Sequence, residues 1–294
     1  MALWVPVALM MQWWVWGGVL PYSLVYVSIR NETPIREGLK QPSCTHAMIL
    51  LLLQRLAIIS LWATFFQGVD RCLTRVGLRK PYYAVHVLHN AIMVALTARD
   101  VWSSVTDVTR ATDYPLNWSA ILLCYGLHIY HTVAYWSTLH PDDVLHHALM
   151  IGVALPLGSV VQSGALVGMN LFFTTGLPGG INYALLFAER NGWVSRATEK
   201  AINTRVHEWI RGPGCIAHAT LAATTAWSLA PTLPAQVVGT LTAALTAWNG
   251  IYFASQVLRA SQAPINRPVA SLADESNTGR TQRGGSRVTT STLD

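Results

Sequence analysis

The chain has 294 residues, of which 52% are hydrophobic and 12% charged, with twelve tryptophans; a soluble domain carries about 25% charged residues. That composition excludes a disordered protein, a coiled coil, a small disulfide scaffold and most soluble enzymes, and makes the membrane span the unit to count.

Charge-free stretches mark the spans in chain order. Residues 2–29, 81–98 and 114–141 carry no charge, and 41–69 carry only Arg55. The charge-free runs 144–188 and 212–258 are each long enough for two helices. A turn at Gln162-Ser163-Gly164 divides the first, and Pro231 and Pro234 divide the second. The expectation is an all-α polytopic membrane bundle of about eight spans, at 5–29, 45–69, 82–103, 116–137, 144–162, 165–188, 214–230 and 234–258. Its parts are an N-terminal anchor and luminal loop (1–43), a helical membrane domain (44–258) and a disordered basic tail (259–294).

Eight spans put both termini on one side. The loops 70–81, 138–143 and 189–213 and the tail then hold 14 of the 20 Lys and Arg residues, and the opposite loops 30–43 and 99–115 hold 5. By the positive-inside rule both termini are cytoplasmic. The net charge of +6 thus follows from loop orientation and implies no nucleic-acid partner. The sequons at Asn31 and Asn117 fall on the luminal side, close to the membrane. The first span, with Trp4, Trp13, Trp14 and Trp16, reads as a retained anchor. Cys44, Cys72, Cys124 and Cys215 are scattered, which argues against a disulfide framework or a thiolate metal site. The loop 189–213 reads as an interfacial amphipathic helix, with Trp193, Ile202, Val206, Trp209 and Ile210 on its apolar face.

The polar residues inside the spans carry the chemistry. Seven of the ten histidines lie between His86 and His147. His86 and His89 share a helix face, as do His128 and His131, and costly polar groups at membrane depth turn inward. Asp142 or Asp143 after Pro141 is an N-cap signal for the fifth span. Asp143 lies three and four residues before His146 and His147, within reach of one imidazole. A neutral imidazole oriented by a carboxylate suits general-base catalysis; the sequence leaves the protonation state open. His46, His207 and His218 read as packing groups. Arg55, costing about 2.5–3.5 kcal/mol at a span centre, should face the interior, where a headgroup phosphate or carboxylate could meet it. The run Thr174-Thr175-Gly176-Leu177-Pro178-Gly179-Gly180, flanked by Asn170 and Asn182, predicts a broken or kinked sixth span. It is either a polar pocket or a packing kink.

From about His86 to Leu258 the chain resembles the TLC-domain family, which includes the ceramide synthases. The resemblance rests on Val87-Leu88-His89-Asn90, on Tyr125-Gly126-Leu127-His128-Ile129-Tyr130-His131, and on Pro141-Asp142-Asp143-Val144-Leu145-His146-His147, similar to the family's acidic-then-Leu-His-His signature. It implies a barrel of six or seven helices around a lipid cavity, with His146 and His147 near its polar zone, and an endoplasmic reticulum location. The chain departs from the family at His131, where many relatives carry aspartate, and no carboxylate occurs between Asp143 and Glu189.

The leading expectation is a protein that binds, senses or organises long-chain lipids without a cofactor. His146, His147 and Asp143 would form its reactive centre, with His89, His128, His131, Asn170 and Arg55 contacting lipid. The alternative is a histidine-dependent acyltransferase with acyl-CoA as co-substrate. Less favoured is a metal-dependent lipid hydroxylase or hydrolase, prompted by the paired histidines.

Overall fold

The computed structural model describes residues 44–160, 164–229 and 232–262. The expected first span, the Asn31 sequon and most of the basic tail lie outside the described residues. Those described are 89% helical, with no strand among them. The helices are α1 (Cys44–Arg75), α2 (Pro81–Thr106), α3 (Trp118–Tyr135), α4 (Pro141–Leu149), α5 (Leu155–Val160), α6 (Ala165–Leu171), α7 (Leu177–Arg190), α8 (Arg196–Val206), α9 (Gly212–Leu229) and α10 (Leu233–Gln262). Three stretches are long and apolar enough to cross a membrane: His46–Arg75, Ala165–Arg190 and Leu233–Ser261.

Three π-helical turns keep pairs of these helices continuous. Met150–Ala154 joins α4 to α5, Phe172–Gly176 joins α6 to α7, and His207–Arg211 joins α8 to α9. Each turn ends two residues before a proline, namely Pro156, Pro178 and Pro213. Proline lacks the N–H that would bond the carbonyl four residues back, and its ring crowds that carbonyl. The carbonyls affected belong to Gly152, Thr174 and Trp209, the middle residue of each π turn. The wider turn is how these helices absorb an interior proline. The expected break at Thr174–Gly180 is therefore a π turn within a helix that runs on to Arg190.

The described chain forms two compact units. One holds the residues up to Gln67 together with Tyr125–Pro156, and the other holds Gly68–Cys124 and Leu157 onward. In the first unit α1 and α3 cross closely at Gly126, where a Cβ would collide with the Cβ of Trp62. Phe66 stacks on Trp62 and lies beside Tyr130. The outer face of α1 is apolar: Ile49, Leu50, Leu53, Leu61 and Phe65 are exposed.

In the second unit α2 packs against α6 and α7, and α9 against α10. The α9–α10 seam is built of small residues. Ala219, Ala222 and Ala243 are buried together, Gly239 faces Ala226, and Gly250 faces Cys215. Small residues let two backbones approach where lipid gives no hydrophobic drive for association. Gly164, in the left-handed region at φ 51°, enters α6 against the carbonyl of Ala111, which also accepts from the Ala165 N–H at 2.9 Å.

The polar segment after Arg190 departs from expectation. Ser195 caps α8 by accepting from the Thr198 N–H at 3.1 Å, and the helix turns its polar stripe inward. Glu199, Asn203, His207 and Arg211 are buried, whereas Trp193, Ile202 and Trp209 face outward. The expected amphipathic helix is present with these apolar residues outward; the departure is that Val206, assigned to that face, is buried along with the polar stripe.

Two predictions follow from this packing. Gly126→Ala should cost about 1–3 kcal/mol by overpacking and lower the melting temperature in detergent. Gly68→Ala, where the added methyl meets nothing within 4 Å, should gain about 0.5–1 kcal/mol of helix propensity. Burial and the charge of Arg211 lower the pKa of His207 from 6.5 to about 4, against the opposing pull of its bond to the Asn203 carbonyl. The unfolded chain therefore gains this proton near pH 6.5 and the folded chain near pH 4. Stability should fall as pH drops through that window and be level above it. His207→Gln should flatten the melting temperature between pH 7 and pH 5.

Candidate functional site

In the first unit α3 and α4 bring four imidazoles together. His128 and His131 lie one turn apart on α3, and His146 and His147 are adjacent on α4. The His131 Nδ1 and His147 Nε2 atoms are hydrogen-bonded at 3.0 Å. Ring centroids lie 5.0 Å apart for His131 and His147, 5.3 Å for His128 and His147, 5.5 Å for His128 and His146, and 5.6 Å for His146 and His147. His147 is the hub: it touches the other three rings and is only 6% exposed. Tyr135 sits 5.4 Å from His131.

The geometry limits the protons this pair can hold. In a bond between two ring nitrogens, one supplies the N–H and the other the lone pair. His131 and His147 therefore cannot both be doubly protonated while the bond persists. The Nδ1 of His147 is buried and has no hydrogen-bond partner among the described residues. It carries a proton to donate if Nε2 accepts from His131, and a lone pair to accept with if Nε2 donates. The pair thus shares one proton between its two facing nitrogens.

Asp143 has a different place from the one expected. His140 precedes the helix, Pro141 opens it, and Asp143 reaches back to accept the His140 N–H at 3.1 Å. This is the reciprocal half of a capping box. Its charge also acts on His131. The carboxylate is exposed, so it fixes the helix start more directly than it orients His146 or His147. Arg55, on α1 in the same unit, is half-buried.

His89 and Asn170 belong to the second unit. The Nδ1 of His89 bonds the Asn90 Oδ1 at 2.8 Å, and the Thr175 hydroxyl donates to the same oxygen at 3.2 Å. Gly179 and Gly180 leave room for Asn90, whose amide would be crowded by any Cβ there. The glycine run is thus a seat for Asn90 between α2 and α7. His86 bonds the Tyr82 carbonyl at 2.7 Å and lies against Tyr183, with centroids 4.2 Å apart. Asn170 donates to the Thr246 hydroxyl at 2.9 Å, tying α6 to α10.

No known protein family, curated protein or solved structure matches this chain. Its function therefore has to be read from its own groups. Among the described residues no set of three or more His, Cys, Asp or Glu side chains is arranged to hold a metal. Among the described residues no disulfide joins Cys72, Cys124 and Cys215.

The sequence reading overlooked the half-buried pair of Asp100 and Asn117. The Asn117 Nδ2 donates to the Asp100 carboxylate at 2.6 Å and to the Leu96 carbonyl at 2.8 Å, while its Oδ1 accepts the Ala120 N–H at 3.1 Å. Asn117 is the N-cap of α3 and uses every atom of its amide. Gly168 on α6 makes room for the Asp100 carboxylate. The sequon obscured the cap, since the same Asn117 serves as the first residue of one pattern and the N-cap of the other. Expression with endoglycosidase treatment should show no mobility shift attributable to Asn117. Asn117→Ala should lose about 1–2 kcal/mol of stability, read as a lower melting temperature.

Proposed function

We propose that the chain is a multi-pass membrane protein of TLC type, with about eight spans, that binds or organises long-chain lipids at the cluster of His128, His131, His146 and His147. The convergence of four imidazoles from two helices carries this reading. Polar side chains are rare within apolar helices, and when grouped they mark a binding or reaction centre. The outward leucines of α1 support a lipid-facing surface. So do Trp102, Trp136, Trp193 and Trp227, exposed near helix ends, where tryptophan marks the headgroup level. In this reading both termini are cytoplasmic, the endoplasmic reticulum is the host membrane, and the imidazoles hydrogen-bond a headgroup whose alkyl chains lie along apolar helix faces.

The hydrogen bond between His131 and His147 favours a second reading, acyl transfer. An imidazole lone pair would take the proton of an amine or hydroxyl as that atom attacks the thioester carbonyl of acyl-CoA. The carbon–sulfur bond then breaks, and the proton passes to the departing CoA sulfur. Asp143 would hold the start of α4 while this occurs.

One preparation tests both readings. Wild-type protein should purify with bound long-chain lipid, and His146→Ala/His147→Ala should lose lipid occupancy. Removing buried hydrogen-bonding groups worth about 1–3 kcal/mol corresponds to about a tenfold or greater loss of affinity. Consumption of acyl-CoA by the wild type alone would select acyl transfer. Equal lipid content and no turnover in both proteins would refute the two readings together.

A further inference from the structure

Arg211 presents a separate problem in the second unit. It lies in the π turn between α8 and α9 and is only 7% exposed. A buried cation normally has a carboxylate beside it, since desolvation is costly without one. Arg211 has none among the described residues. Neither α9 nor α10, both packed against its turn, contains a carboxylate. Glu208, on its own turn, is exposed and makes no ion pair with it. Glu199 lies twelve residues earlier, about 18 Å along a helix, and pairs with Lys200 at 3.4 Å. Glu189 pairs with Arg190 at 3.4 Å.

The groups that do surround Arg211 are neutral. One terminal nitrogen donates to the Asn249 Oδ1 at 2.9 Å, and the guanidinium carbon lies 4.2 Å from the centre of the Phe253 ring. His207, Cys215 and Tyr183 also lie close enough to act on it. A guanidinium has five N–H donors, and one of them is used here. The Nε atom is buried without a partner. Burial lowers the pKa to about 10, so the group is still charged at neutral pH. Phe253 covers one face and Asn249 fixes one corner, which leaves the rest of the fork to meet a planar or tetrahedral oxyanion in its own plane.

The surroundings point to where such an anion comes from. Trp209, two residues away, is 75% exposed, and Trp193 is exposed as well. Exposed tryptophans belong at the headgroup layer, and the exposed Arg196 and Arg205 draw anions toward the same segment.

We propose that Arg211, held by Asn249 and Phe253, is the centre of a second ligand site that binds a phosphoryl oxyanion, supplied by an anionic lipid headgroup or by free phosphate. The site is independent of the histidine cluster. The bound anion is the missing counter-charge, so occupancy stabilises the fold by mass action.

The experiment uses full-length protein in neutral maltoside micelles at pH 7. Its melting temperature is followed with added phosphatidic acid, with phosphatidylcholine, and with sodium phosphate against sodium chloride at equal ionic strength. Wild type should melt at least about 3 °C higher with saturating phosphoryl anion and show no rise with phosphatidylcholine or chloride. A rise with phosphatidic acid alone identifies a lipid headgroup, and a rise with phosphate as well identifies the free ion. Arg211→Gln should abolish the response and Arg205→Gln should retain it. Asn249→Asp places a carboxylate beside the guanidinium. It should raise the anion-free melting temperature and remove the response, even if Arg211→Gln fails to fold. His146→Ala/His147→Ala should keep the response, which separates this site from the lipid reading above. No rise in wild type with either anion would overturn the proposal. So would an equal loss in Arg205→Gln, or an undiminished response in Asn249→Asp.

Discussion

Every polar group placed among apolar helices needs a partner inside the protein, because hydrocarbon offers none. That requirement explains most of the side-chain arrangement. Thr74, Thr97, Thr174, Thr220, Thr224, Thr240, Thr242 and Thr246 each return a hydroxyl proton to the carbonyl four residues back. Each hydroxyl is thereby satisfied within its own helix and leaves only a methyl to pack. Groups too large for this are paired between helices: Asp100 with Asn117, Asn170 with Thr246, and Asn90 with Thr175. Glycines supply the space for these pairs. Gly168 admits the Asp100 carboxylate, and Gly179 and Gly180 admit Asn90.

Against this background the two polar centres differ in kind. The histidine cluster is a set of like groups in ring contact, with one proton shared between His131 and His147. Arg211 has a fixed charge, with its geometry set by an amide and a ring. The first suits the movement of protons or the recognition of a neutral polar headgroup. The second suits the holding of an anion. Arg211 has no carboxylate beside it among the described residues, whereas the charge of Asp143 acts on His131 in the histidine cluster.

The helices were legible because a charge is costly within a span, so each charge-free run among the described residues has a helical core, although Cys44–Arg75 and Pro81–Thr106 run on past the charges that end their runs, Asp70 and Arg99. Gly164 and Pro234 mark helix starts for reasons visible in the residues themselves. The grouping of His128 with His131 followed from helical spacing, and its meeting with His146 and His147 followed from the cost of isolated imidazoles. Other features were hidden. The amphipathic character of α8 was legible, but its linear pattern did not show that Glu199, Asn203, His207 and Arg211 are buried while Trp193 and Trp209 point out. Asp142 or Asp143 was read as the cap, but Pro141 occupies the first helical position and leaves Asp143 to reach back to the His140 N–H. Arg211 was counted as a loop charge that sets topology, since nothing in the linear pattern separates it from Arg205.

The proline-linked π turns have a consequence for how this chain tolerates change in length. A π turn holds one residue more than the α-helical path it replaces, so everything beyond it is rotated by about 100° relative to an uninterrupted helix. The side chains before and after Pro156, Pro178 and Pro213 are thus phased to neighbours that a regular helix could not reach together. Restoring a regular spiral by deleting a single amino acid at any of these three points would spin the downstream segment off its contacts while leaving its composition and hydropathy almost unchanged.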